Sequence, residues 1–170
     1  MYISHTELHE RPGARELAEV ATAQHERMVP YELMEAALTG ADRSAWSDEE
    51  NARADDALQR IDDARRDAGA VIDGYLAKRG YLPLDPVPGI VVAWCRAITR
   101  YFLHQHLISA DDKSPIVRDY RDALKFLQLT AEGKFSLGAD DPVQNDPNLV
   151  DVRFEASPNV FSRNQLRSFR

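Results

Sequence analysis

One cysteine, Cys95, stands in a chain of 170 residues, which excludes an internal disulfide framework and any metal cage built of thiolates alone. Long apolar runs are missing too: nothing approaches the roughly 18 consecutive residues that a membrane-spanning helix needs. Met1 to Glu10 has neither a basic patch nor an apolar stretch, so no secretory leader is expected. Glycine is sparse, with 8 residues, and none falls into a phosphate-cradling loop. G-x-S-x-G, H-E-x-x-H and paired Cys/His zinc spacings are also missing. Cationic excess is absent, since 21 Lys and Arg against 28 Asp and Glu leave a net charge of −7. A pI near 5.2 argues against broad nucleic-acid binding. What is present is an ordinary globular balance, 44% apolar and 29% charged. The length suits one domain with a real core, or one domain plus an arm. The chain reads as a soluble, intracellular protein with a single core.

Helix signals dominate the first 138 residues. Ser4 precedes Glu7 at capping-box spacing, and Pro12-Gly13 interrupts before Ala14 to Ala23, with Leu17, Val20 and Ala21 on one side. Met28 to Pro30 breaks the chain again, and Tyr31 to Leu38 offers Leu33, Ala37 and Leu38 for burial. A long helix is predicted from Asp48 to about Arg79, capped by Ser47 and Glu50. Its stripe is Ala54, Leu58, Ile61, Ala68, Ile72 and Tyr75, with Arg65 in the remaining position. The segment carries nine acidic and six basic residues, Arg65 among them, and its length predicts a bend or break near Gly69. Pro83, Pro86 and Pro88 preclude helix before Gly89 to about Leu107, the most apolar segment and the expected central helix. Ser114-Pro115 opens a last helix with Val117, Tyr120, Leu124 and Leu127 inward, ended by Gly133.

Several residues invite chemistry, and each has a plainer reading. His104 and His106 form an H-x-H pair, but side chains two apart on a helix diverge by about 200°. Cys95 beside Trp94 reads as a small core hydrophobe. Asp55-Asp56 and Asp62-Asp63 read as a solvated, mixed-charge face. Arg118, Arg121 and Lys125 suggest a DNA-reading helix, yet Asp119 and Asp122 interleave them.

The grammar changes at Ala139. Asp140, Asp141, Pro142, Asn145, Asp146, Pro147 and Asn148 resist regular structure, and Val150 to Phe154 alternates as a short strand would. Beyond Pro158 the chain carries Arg163, Arg167 and Arg170 with no acidic residue. Two readings stand level: this segment packs back on its own bundle or is disordered, or it folds on a partner through Phe161, Leu166, Phe169 and the arginines.

Ile72-Asp73-Gly74-Tyr75-Leu76-Ala77-Lys78-Arg79, followed by Leu82-Pro83-Leu84 and Val87-Pro88, is similar to a signature of small Mu-like phage and prophage proteins. Ala97-Ile98-Thr99-Arg100-Tyr101 and Arg118 to Leu127 resemble the next two helices of that family. Gly133-Lys134 to Leu137-Gly138, Val160-Phe161-Ser162-Arg163 and Leu166 to Phe169 resemble its ending. The resemblance runs over about residues 68 to 170, with a weaker likeness at Met1-Tyr2, Leu8 and Leu17. Residues 24–51 are longer and more charged than the family's usual connection, and Arg96 stands where the family often has an acidic residue.

The family resembles the head–tail connector (adaptor, head-completion) proteins of long-tailed phages. The fold expectation is all-α, four to five helices over residues 1–138, with an extended arm at 139–170 containing at most a short strand. The resemblance implies a non-enzymatic virion protein at the head–tail interface, assembled in the host cytoplasm. It implies a ring of copies, of about twelve-fold symmetry, beneath the portal protein. The arm's Val160, Phe161, Ser162, Arg163, Leu166, Arg167, Phe169 and Arg170 would dock on the portal or on neighbouring copies. A further connector or tail-completion protein is the partner below, and genomic DNA passes through without specific binding. No cofactor, metal or membrane is implied. The competing reading is a DNA-binding regulator or packaging factor.

Overall fold

Ser4, Ser47 and Ser114 each open a helix, because a serine hydroxyl can accept from a backbone N–H that the first turn leaves unpaired. The computed structural model describes residues 1–108 and 114–138. Within them α1 is His5–Leu8, α2 Ala14–Ala21, α3 Tyr31–Thr39, α4 Asp48–Leu76, α5 Gly89–His104 and α6 Pro115–Ala131. No strand occurs among the described residues, so the all-α expectation holds. The expected strand at Val150–Phe154 and the arm at 139–170 lie outside them.

Both expected capping boxes are formed. The Glu7 and Glu50 amides donate to Ser4 and Ser47 Oγ, while each carboxylate accepts from its own cap's N–H. Those hydrogen bonds hold both carboxyls below the usual value. Ser47→Ala should cost about 1 kcal/mol. A lowered carboxyl contributes stability above its ordinary range and loses it as pH falls through the folded value. Alanine keeps the backbone N–H that is the larger cause of the lowering, so the gap between variant and parent should narrow only in part on acidification, which thermal melts between about pH 7 and pH 3 will check.

The helix α4 corrects one expectation. It runs unbroken through Gly69 for 29 residues, roughly 43 Å at 1.5 Å per residue. A mid-helix glycine costs only about 1 kcal/mol relative to alanine, and neighbours hold α4 on both sides of it. It packs on α2, α3, α5 and α6. The buried face is Ala54, Ala57, Ile61, Ala64, Arg65, Ala68, Ile72 and Leu76. Leu58 and Tyr75, expected inside, are only partly covered. Alanines let the neighbouring backbones approach, which is why this face is narrow and poor in large side chains.

α5 touches α2, α4 and α6 and buries Val91, Trp94, Cys95, Ile98, Thr99 and Leu103. Tyr101 near its end stacks on Tyr120 early in α6, at 3.8 Å between ring centroids. Trp94 near its start packs on Phe126 late in α6, so the two helices are antiparallel. On α6 the fully buried residues are Val117, Ala123, Leu127 and Thr130. Tyr120 and Leu124, expected inward, lie at the border of the core.

Arg65, the odd member of the α4 stripe, is buried at 7% exposure. Its Nε and Nη2 both donate to the Ile3 carbonyl, and its Nη1 donates to Asp62 Oδ1 at 2.5 Å. His5 Nε2 meets the same carboxylate oxygen at 2.7 Å. One guanidinium thereby ties the N-terminal segment to the long helix. A second tie is the two-pronged pair from Arg100 on α5 to Glu16 on α2, at 2.5 and 2.7 Å.

Candidate interaction surfaces

The residues that invited catalytic or metal chemistry are dispersed. Cys95 is 1% exposed, and burial pushes its thiol above the ordinary value. A thiolate is the reactive form, so Cys95 should react with a disulfide reagent only as fast as the chain unfolds. Absorbance kinetics with and without denaturant will check this. His104 closes α5 with Nδ1 2.8 Å from the Arg100 carbonyl, while His106 lies exposed beyond the helix. Among the described residues, no three His, Cys, Asp or Glu side chains are grouped to hold an ion.

The paired aspartates of α4 point to separate cations. Asp55 meets Arg43 at 2.6 Å, Asp56 meets Arg60 at 2.6 Å, and Asp63 meets Arg66 at 2.8 Å. Asp62 belongs to the Arg65 tie. Neighbours on a helix diverge by about 100°, so no two carboxylates converge as an acid–base pair. On α6, Arg118, Arg121 and Lys125 are exposed as a base-reading face requires, but Asp119 and Asp122 are exposed beside them.

The most distinctive surface surrounds the point where residues 139–170 leave the described fold. Gly133 reverses the chain after α6 with φ +75°, and a Cβ there would lie 2.5 to 2.8 Å from the Arg79 guanidinium. The reversal brings Phe135 against Trp94, with centroids 6.0 Å apart, and edge-on to Phe126 at 5.4 Å. Phe135 and Leu137 pack on the core, just before residue 139. Phe126 remains 40% exposed and Ile90, one turn before Trp94, 37% exposed. Sequence reasoning missed both Phe126 and Phe135. The available signal was an aromatic off the buried stripe of an otherwise polar helix face.

The expected partner-binding residues Val160, Phe161, Ser162, Arg163, Leu166, Arg167, Phe169 and Arg170 all lie outside the described residues.

The sequence profile of the family described as Bacteriophage Mu, Gp36 matches residues 2–155, which takes in every described residue but the first. The chain belongs to the Bacteriophage Mu Gp36 family. Its relatives include the Mu-like prophage FluMu protein gp36 of Haemophilus influenzae, 34% identical over 110 residues. Gene product J of Escherichia phage Mu is 34% identical over 112 residues. Each alignment covers 65% of this chain and 75% of the relative. The Gp36 match thus makes this a phage protein family, and neither relative's name describes an enzymatic activity. No described helix of this Gp36 member is long and apolar enough to cross a membrane. The matched span stops at residue 155, so Val160 to Arg170 lie beyond it.

Proposed function

We propose that this Gp36-family chain is a head–tail connector subunit of a phage particle. In this reading its helical bundle sits in a ring of copies beneath the portal and borders the channel through which DNA passes. Membership of a phage Mu family carries the reading. The anchored root of the arm supports it, because Phe126 and Ile90 are left exposed where the last 32 residues begin. Aromatic and arginine side chains such as Phe161, Phe169, Arg163 and Arg167 are the kinds that dominate protein–protein contacts. Affinity then resides in subunit and portal contacts, with no catalytic step.

The experiment is to mix the purified chain with the portal protein of the same phage and image the particles. A ring of this chain stacked on the portal is the expected result. Exposed Arg118, Arg121 and Lys125 on α6 favour a second reading, a DNA-binding factor. A gel shift with duplex DNA that weakens steeply with salt, together with no portal complex, would overturn the connector assignment in favour of it.

A further inference from the structure

We propose that the groove between the N-terminus, the second half of α4 and the connection 80–88 is a docking site for a segment of this same chain, Val150 to Phe154. The groove measures about 720 Å³, and Met1, Ala70, Leu82, Pro83, Leu84 and Val87 give it apolar walls. Met1, Leu82 and Val87 among them are exposed. Its polar members are already engaged. The Tyr2 hydroxyl donates to Asp73, Arg65 is closed on Ile3 and Asp62, and Arg66 meets Asp63 at 2.8 Å. What the groove leaves unmatched is hydrocarbon facing water, so an apolar occupant fits it.

The described fold ends beside this groove. The turn at Gly133 lies against the Arg79 guanidinium, three residues before Leu82. Phe135 packs on Trp94, seven residues after Val87. The connection that walls the groove therefore starts and finishes next to the stretch that leads to Gly138. From Gly138 to Val150 is 150 − 138 = 12 residues, or up to roughly 40 Å of extended chain. That is nearly the length of α4, so the segment reaches the groove of its own molecule. A linker of this length holds it there at an effective concentration on the order of millimolar, an advantage that no segment of another molecule has.

Composition selects this segment from the rest of residues 139–170. Val150, Val152 and Phe154 alternate with Asp151 and Arg153. An extended segment would set the three apolar side chains on one side and the two opposite charges on the other. Val160, Phe161, Leu166 and Phe169 follow no such period. The family profile supplies an independent reason. It continues 155 − 138 = 17 residues past the described fold and stops one residue after Phe154. The part of the chain shared with the family thus includes the occupant and leaves out residues 160–170. This inference does not rest on the connector reading, whose contacts are assigned to residues 160–170.

The test places a nitroxide on the full chain through Asp151→Cys, a position on the outward side of the segment. Cys95 stays in place, because it is buried away from the reagent. Nuclear magnetic resonance follows the methyl signals of Leu82, Leu84 and Val87. They should be lost while the label is paramagnetic and return when ascorbate reduces it. The loss should persist when the labelled chain is diluted about tenfold with isotopically silent, unlabelled chain, because a tethered contact is independent of concentration. Phe154→Asp, and separately Val152→Asp, in the labelled chain should bring the signals back. Signals that the label never touches would overturn the assignment, as would a loss that both aspartate variants leave unchanged. A loss that fades on dilution would also overturn it, giving the groove to a segment of another copy. None of these outcomes involves the portal, so failure here and failure of the connector reading are told apart.

Discussion

Arg65→Met should lower folding stability by about 3 kcal/mol, a drop in Tm of roughly 6 to 12 °C for a chain of this size. Methionine keeps most of the aliphatic stem, so little of the loss comes from packing. The loss comes from the Ile3 carbonyl, which accepts from two guanidinium nitrogens and would be left buried without a donor. Asp62 adds less, because its side chain is 32% exposed and water can resolvate it. Arg65→Lys should recover only part of the loss, since one ammonium cannot present the planar fork that reaches both Ile3 and Asp62. Differential scanning calorimetry of the three proteins tests this, and a Met variant as stable as the parent would mean that packing and the His5–Asp62 and Tyr2–Asp73 contacts suffice to hold the N-terminal segment. Hydrogen exchange should show the loosening first at Ile3 to Leu8, the segment that this side chain secures.

Truncation before Val160 should reduce association with the portal at least about 100-fold, or 2.7 kcal/mol, while the thermal transition of the bundle stays within about 2 °C. The binding loss follows from removing two aromatic rings, a leucine and three arginines, side chains of the type that commonly contribute 2 kcal/mol or more each at interface centres. The small thermal change follows from the described core, which residues from Ile3 to Leu127 build and against which Phe135 and Leu137 pack. Surface plasmon resonance against immobilised portal, paired with calorimetry, separates the outcomes. A collapse of the transition would assign the arm to the bundle core, and unchanged portal binding would remove residues 160–170 from the interface.

The helix starts could be read locally because a cap is a contact between residues three apart. Ser4 with Glu7, Ser47 with Glu50, and Ser114 before Pro115 were therefore legible without any tertiary knowledge. The Gly69 expectation failed for the opposite reason. Whether a helix survives a glycine depends on what holds the flanking turns, here the burial of Ala64, Arg65 and Ala68 before Gly69 and of Ile72 and Leu76 after it. Of the α4 stripe, Ala54, Ile61, Ala68 and Ile72 are buried as expected and Leu58 and Tyr75 only partly, while Ala57, Ala64 and Leu76 are buried members outside it. Alanine carries almost no hydropathy signal, and the close approach of neighbouring helices is what selects it.

By itself, then, the order of residues determined an all-helical body, the positions of its caps, the proline-studded connection before α5 and the lack of any catalytic or metal-ligand spacing. All of these are written in contacts or periods shorter than one or two helical turns. Only the tertiary structure decided that Arg65 is a buried tie, that Phe126 and Ile90 remain exposed, and that Arg11, Arg96 and Arg100 share a cleft. Arg65 and Ile3, Ile90 and Phe126, and Arg11 and Arg96 are each separated by tens of positions along the chain, and only the packing of the helices on one another sets their distances and their access to water.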